Sequence, residues 1–275
     1  MRDRRRLIIT ADDFGAAAPV NAAVALAHRQ GVLTAASLMV GAPGAAEAVA
    51  LARAMPGLRV GLHLVLVEGR PTLPPALVPH LVGADGRFRD NMAAAGATMF
   101  FHPAARRELA AEITAQFEAF AATGLTLDHV NTHKHFHLHP TIAGLILKIG
   151  ARHGVRAARV PIEPRAILAA VEPGRYPLNP VFDLWAALAR RRFRRAGWQI
   201  ADQVFGLAWS GAMTPERLLG LVRTLPEGLT EIYLHPATHG GFEGAARGYQ
   251  YEAELAALLS PAVIAAVAHR RSTDT

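Results

Sequence analysis

"HPAARRELAAEITAQFEAFAATGLTLDHVNTH" (residues 102–133) changes its period partway along. Leu109, Ile113, Phe117 and Phe120 follow one another at steps of four, four and three, the spacing of an amphipathic helix, and Gly124 closes it. "LTLDHVNTH" (125–133) then reads as a strand. A helix that hands the chain to a strand through a single glycine is one unit of an alternating α/β chain. Upstream lie a strand "RLIITADD" (6–13), helical spacing over 16–30 closed by Gly31, a strand "LTAASLMVGAP" (33–43), an Ala-rich helix over 45–55 and a strand "LRVGLHLVL" (58–66). Downstream come a helix over 141–153, short strands "RAARV" (156–160) and "QVFGLAW" (203–209), and a helix "TPERLLGLVRTL" (214–225) with Thr214 as N-cap and Pro215 at its first position. A last strand "LTEIYLHP" (229–236) and a closing helix "YEAELAALL" (251–259) complete the pattern.

Six or seven βα units without a repeat or linker predict a parallel sheet closed into a distorted or incomplete (β/α) TIM-like barrel, a single domain over 1–275. The first strand lacks the glycine-rich phosphate loop of a nucleotide-binding sheet. Pro- and Gly-rich stretches at about 66–100 and 162–200 are expected to be irregular loop insertions over the active face.

The 275 residues are 51% hydrophobic and 19% charged, the composition of an ordered globular chain. Cysteine is absent, which excludes disulfides and thiolate chemistry. No apolar run approaches the roughly 18 residues of a membrane span. "MRDRRRLIITADDFG" (1–15) offers only about four apolar residues and no small-residue cleavage site, so a cytoplasmic chain without a signal peptide is expected. The formal charge of +7 is sharpest at Arg190, Arg191, Arg192, Arg194 and Arg195, between Trp185 and Trp198. With no helix-turn-helix, RNA-binding or zinc-finger pattern, nucleic acid is not an expected partner. A solvated helix face or peripheral contact with an anionic membrane through 185–198 remains. The oligomeric state is not written in the sequence.

Ionisable residues recur at the C-terminal ends of the expected strands: Asp12 and Asp13, His63, His133 and His135, Arg159, and His235. Barrels gather such ends on one active face. Each has a plain explanation: an aspartate capping the following helix, or His63 as a hydrogen-bonded core histidine. His129, His133, His135, His137 and His139 are harder to dismiss, since a continued strand would point all five one way. Same-face histidines repel when protonated and need acceptors when neutral; a metal resolves both. An Asp and two His from three strands, with positions left open, suit one divalent ion, Zn or Mg first and Mn, Co or Ni next.

"TADDFG", "GLHLVLVEGRP", "NTHKHFHLHP" and "YLHPATHG", in this order over roughly residues 7–240, resemble the YdjC-like carbohydrate deacetylases. That family's fold is a distorted (β/α) barrel. The resemblance implies that Asp13, His63 and His133 hold the metal, that Asp12 is the general base, and that His235 serves the leaving group. Arg159 is expected to orient Asp12, and His135 and His137 to line the cleft or support the metal ligands. The family's chitooligosaccharide enzymes commonly carry Asp-Ser-His where this chain has Asn131, Thr132 and His133, so an amide stands beside the metal histidines. The wording is closest to the branch associated with hopanoid biosynthesis. That implies removal of the N-acetyl group from an N-acetylglucosaminyl lipid, with chitooligosaccharide deacetylation as the alternative. A barrel phosphohydrolase and a metal-containing sugar-lipid binding protein are the readings from other classes.

Overall fold

The computed structural model describes residues 5–177 and 179–273, so residues 1–4, on which part of the leader-peptide reading falls, lie outside the described residues. Parallel strands β1 (Arg5–Phe14), β2 (Ala35–Leu38), β3 (Arg59–Leu64), β4 (Val130–Thr132), β5 (Gln203–Phe205) and β6 (Gly228–Leu234) form one curled sheet in the order β4-β3-β2-β1-β6-β5. Between the first four strands run α1 (Ala18–Gln30), α2 (Ala45–Arg53), α3 (Met92–Phe101) and α4 (Pro103–Ala122). Between β4 and β5 come α5 (Pro140–Gly150), α6 (Arg165–Val171) and α7 (Pro180–Arg195). Then α8 (Pro215–Arg223) precedes β6, and α9 (Tyr251–Leu259) and α10 (Pro261–Thr273) end the described chain.

Residues 156–162 fill the gap between β4 and β5. Val130 N donates to Ala157 O (3.0 Å) and Arg159 N to Val130 O (3.2 Å); on the other side Ala158 N donates to Gln199 O (3.0 Å) and Val204 N to Ile162 O (2.9 Å). The architecture is therefore the distorted, incomplete (β/α) barrel that the alternation predicts. Strand residues alternate in direction. Ile9, Ala11, Leu38, Leu62, Leu64, Ile232 and Leu234 pack into the apolar core, all fully buried. Their neighbours Thr10, Asp12, Ser37, His63, Asn131 and Glu231 turn to the other face, where Arg159, bonded to both Asp12 and Glu231, joins them in one hydrogen-bond network. The barrel interior is thus polar.

Several expected elements differ. After Thr132 the chain enters a tight turn, His133–Leu138, in which Lys134 (φ 54°) and His135 (φ 55°) are left-handed. Consecutive left-handed residues cannot extend a strand, so the five odd-numbered histidines do not share a face. "RAARV" makes isolated parallel pairings only, Ala158 with Val130 and Ala157 with Gln199. "QVFGLAW" stops at Phe205: Gly206 has φ 127°, and a Cβ there would lie 2.4 Å from Tyr233 O. The two stretches expected to be irregular contain α3, α6 and α7. Asn91 Oδ1 caps Ala94 N (3.0 Å), and Asn179 Oδ1 caps Phe182 N (3.1 Å) with Pro180 at the first position. These are ordinary helix starts embedded in Pro- and Gly-rich surroundings. Among the described residues, no single helix is long and apolar enough to cross a membrane.

Candidate active site

The β1–β2 ladder pairs Ala11 with Ala36 and Phe14 with Leu38, three steps against two. The extra residue is absorbed at Asp12–Asp13, where Asp13 takes φ 60°. A bulge of this kind re-aims side chains. Asp12 turns into the barrel interior, 2% exposed, while Asp13 faces the cleft outside the strand ends. Helix capping does not account for either carboxylate, because the N-cap of α1 is Ala17 and no side chain caps it. The turn is instead held by buried Asn21. Its Oδ1 accepts from Gly15 N (2.8 Å), and its Nδ2 donates to Gly44 O (2.9 Å) and Glu47 Oε2 (2.8 Å).

Asp13 Oδ1 lies 3.3 Å from His63 Nε2 and 3.3 Å from His133 Nδ1. The three ligand atoms fall within 4.8 Å of one another. Asp13 Oδ1 and His63 Nε2 are both buried without a hydrogen-bond partner, which is costly unless something else satisfies them. Two ligands about 2.0–2.2 Å from a shared ion at a tetrahedral angle stand about 3.3–3.6 Å apart. The residues present therefore fit a divalent ion. Burial pushes the Asp13 carboxyl up, but the neighbouring His133 and His63 hold it well below the usual carboxylate range.

Asn131 sets the orientation of His63. Its Nδ2 donates to Asp12 Oδ1 (3.0 Å) and Ser37 Oγ (2.9 Å), and its Oδ1 faces His63 Nδ1 at 2.7 Å. An ionised carboxylate only accepts, so the amide nitrogen belongs on the Asp12 side and the amide oxygen on the His63 side. His63 must then donate from Nδ1, which leaves the Nε2 lone pair aimed at Asp13 and at any shared ion. Ser37, accepting from Asn131, turns its hydroxyl toward His129 Nε2 (3.0 Å), and His129 Nδ1 donates to Asp128 Oδ2 (2.9 Å). Gly61 makes room for this chain, since a Cβ there would sit 2.4 Å from the His129 ring.

Asp12 is fixed from its other side by Arg159, 1% exposed. Arg159 Nη2 donates to Asp12 Oδ1 (3.0 Å), Nη1 donates to Asp12 Oδ2, and Nε (3.0 Å) and Nη2 (2.7 Å) reach Glu231 Oε1. Burial alone would raise the Asp12 carboxyl; the charge and hydrogen bonds of Arg159, with His63 and His235 nearby, together outweigh it and hold Asp12 well below the carboxylate range. The guanidinium also lies 4.4 Å from the centre of the Tyr233 ring. His135 Nε2 meets Tyr233 Oη at 2.8 Å. His137 Nδ1 meets Thr132 Oγ1 at 2.8 Å, and burial together with the Arg159 charge pushes His137 down to about 3. His235 follows β6, its ring 5.1 Å from that of Tyr249 and its Nδ1 3.9 Å from Glu254 Oε2. His129 and His139 lie apart from the Asp13–His63–His133 set: His129 belongs to the buried chain below it, and His139 stacks on Trp185 at 6.3 Å.

Among the described residues, the non-glycine positions with positive φ are Asp13, Glu68, Lys134 and His135, all at this site. Lys134 and Glu68, both left-handed, pair across the cleft, which gives the lysine between two histidines a structural role. The cleft, about 230 Å³, is lined by Asp13, His133, Glu68, Arg70, Arg87 and Tyr251 among others. Its 65–73 wall is tied to α4. Glu112 accepts from Thr72 N (2.8 Å) and Leu73 N (3.0 Å), and Gln116 exchanges hydrogen bonds with both Val65 N (2.9 Å) and Val65 O (2.7 Å). Sequence reasoning singled out Asp12, Asp13, His63, Asn131, His133, Arg159 and His235, which the fold gathers at one end of the barrel. It missed Glu231, Tyr233, Ser37, His129 as a buried link, and Glu254. In "TEIYLH" the alternation of Glu231, Tyr233 and His235 with Ile232 and Leu234 was the available signal.

The model of the YdjC-like protein family matches residues 6–269. A carbohydrate deacetylase of Geobacillus stearothermophilus is 32% identical over 270 residues, 97% of this chain and 94% of that protein. One from Brevibacillus brevis is 40% identical over 153 residues, 54% of this chain and 57% of its own length. The crystal structure of an Enterococcus faecalis protein, provisionally named for cellobiose-phosphate cleavage, superposes with a TM-score of 0.75 at 25% identity and covers 97% of this chain and 95% of that one. The barrel, the carboxylate pair diverging at a bulge and the facing histidines thus occur in a chain that belongs to the YdjC-like family.

Proposed function

We propose that this chain is a carbohydrate deacetylase that uses one divalent ion to hydrolyse the N-acetyl amide of an N-acetylglucosaminyl substrate. The observation that carries the reading is the convergence of two buried, unpartnered ligand atoms, Asp13 Oδ1 and His63 Nε2, with His133 Nδ1 beside a second, separately held carboxylate. Relatives named carbohydrate deacetylase, one aligned over nearly the whole chain, support it.

Asp13, His63 and His133 would hold the ion, which supplies a Lewis acid for the acetyl oxygen and lowers the pKa of a water at the site. Asp12 stays ionised across the working pH range and accepts the proton of the attacking water. Its low proton affinity makes it a weak base, so the proton it takes is handed on, to His235 after that residue has protonated the amine or to solvent as the acetate leaves. Arg159 and Asn131 position Asp12 through three hydrogen bonds, and Glu231 fixes Arg159 in turn. His235 donates a proton to the departing amine, with the Glu254 carboxylate facing its other side. His135 and His137 act from behind through Tyr233 and Thr132.

We assign the substrate to a hopanoid glycolipid on the sequence wording alone, with chitooligosaccharides as the alternative. Acetate release from an N-acetylglucosaminyl hopanoid and from chitobiose, with apoprotein reloaded with Zn, Mg, Mn, Co or Ni, tests both levels. Release from the lipid alone is expected. Release from chitobiose alone keeps the chemistry and overturns the substrate; no acetate from either with metal bound overturns the deacetylase. In that case, cleavage of a generic phosphate ester separates a phosphohydrolase from a binding protein.

A further inference from the structure

We propose that the outer face of α7, together with the C-terminal end of α3, docks this protein onto an anionic lipid bilayer. Among the described residues the exposed large hydrophobic side chains are Leu77, Phe100, Phe101, Val181, Leu184 and Leu188. All except Leu77 belong to α3 or α7. Phe101 is 78% exposed, Val181 66% and Leu184 59%, far beyond what scattered surface residues require. The two helices meet through His139, whose ring packs edge-on against Phe100 (5.9 Å) and stacks on Trp185 (6.3 Å). They thus form one apolar rim, abutting the 133–139 segment that carries His133.

Charge selects the occupant. Val181, Leu184 and Leu188 recur at i, i+3 and i+7, one stripe of the helix. One and two turns further on, the same stripe continues as Arg191, Arg192 and Arg195. The arginine run therefore divides. Arg190 and Arg194 turn to Asp202 (3.6 and 2.8 Å), whereas Arg191 and Arg195 stay exposed and make no hydrogen bond or ion pair among the described residues. Arg192 donates to Pro140 O (2.7 Å), which holds its guanidinium along α5. Between α5 and α7 a groove of about 470 Å³ has Leu138, Ala143 and Trp185 on its floor and these three arginines at its edge. An apolar floor with basic edges matches acyl chains below anionic headgroups. A second copy of this chain fits poorly: the α7 carboxylate, Asp183, is paired with Arg165 (2.7 Å), so self-association would set arginine against arginine.

The test is flotation of the full-length protein with phosphatidylcholine vesicles and with vesicles holding about one-third phosphatidylglycerol, at low and at high salt. Two variants accompany it, V181S/L184S/L188S and R191E/R195E. All five positions are exposed, and circular dichroism with thermal unfolding serves as the folding control for both. The proposal expects binding to phosphatidylglycerol vesicles that salt weakens, with at least a tenfold loss of partitioning in each variant. It is overturned if the parent does not float with anionic vesicles at low salt, or if neither variant lowers the bound fraction. It is equally overturned if the parent forms a dimer in solution that V181S/L184S/L188S dissolves, because the face would then be a subunit interface.

Discussion

Replacing Asn131 with alanine isolates the role of one amide in metal binding. The side chain makes three buried hydrogen bonds, at 3.0 Å to Asp12, 2.9 Å to Ser37 and 2.7 Å to His63. In N131A the Nδ1–H of His63, itself 2% exposed, is left with Asp12 Oδ1 at 4.0 Å, beyond hydrogen-bond reach, a cost of about 1–3 kcal/mol. The ring can escape this cost by moving its proton to Nε2, the atom that faces Asp13, and in that tautomer it no longer offers the ion a lone pair. Either way the apo state and the metal-binding state separate in energy. Loss of such a supporting partner typically costs 10- to 100-fold in metal affinity, which is about 1.4–2.8 kcal/mol. Competition for Zn between the apoprotein and a chromogenic chelator reads this directly, with circular dichroism confirming the fold. N131D keeps an acceptor for His63 and is expected to bind within a few-fold of the parent, although a carboxylate next to Asp12 lowers stability. The reasoning fails if N131A binds Zn within twofold of the parent.

Other expectations follow from the same geometry. D12N removes the proton acceptor but none of the three metal-facing atoms, so acetate release should fall at least about 100-fold while the metal content per chain is unchanged; loss of the metal together with the rate would move Asp12 into the ligand set. His137 is buried and neutral, held at about 3 against its ordinary 6.5. As pH falls below about 6.5 the unfolded chain takes up a proton that the native chain refuses, so stability present above that pH is lost on acidification. The loss is about 1.4 kcal/mol per pH unit from this group down to about pH 3. Urea unfolding of the apoprotein at pH 7 and pH 5 should show it, and H137Q should reduce it while His135, also held down by burial, keeps the remainder; an equal slope in the variant would place the acid sensitivity elsewhere. E112A strips two backbone amides of their acceptor and frees the 72–73 wall of the cleft. A loss of about 3–6 kcal/mol and a Tm lower by on the order of 10 °C are expected, with a raised KM, and an unchanged KM would show that this wall does not touch substrate.

The barrel was legible because its signal is redundant: each strand-to-helix alternation repeats the same instruction. The metal-facing residues were legible for a related reason, since a carboxylate pair or a histidine in an apolar strand is costly to bury and therefore conspicuous. What the sequence could not convey is direction. "THKHFHLHP" has strand periodicity, yet left-handed Lys134 and His135 bend it into a turn that presents His133 to Asp13 and sends His135 to Tyr233. The divergence of Asp12 and Asp13 depends on a bulge whose existence is decided by β2 across the ladder. Arg159 stands in a strand-like run of sequence, but its segment is an irregular filler between two edges, and its role depends on Glu231, 72 residues away. The arginine run of α7 reads as a charged helix face, but its Asn179–Pro180 start and the apolar stripe of Val181, Leu184 and Leu188 lie hidden in a Pro-rich stretch.

The central claim is that one ion, held by Asp13, His63 and His133, is required for amide hydrolysis. The most direct test titrates chelator-stripped protein with Zn and records bound metal and acetate release on the same samples. The account predicts that the rate rises in proportion to metal, levels off at one equivalent per chain, and is absent in H63A, which no longer retains the ion. Full activity in the stripped protein, or acetate release by H63A at the parent rate, would contradict it.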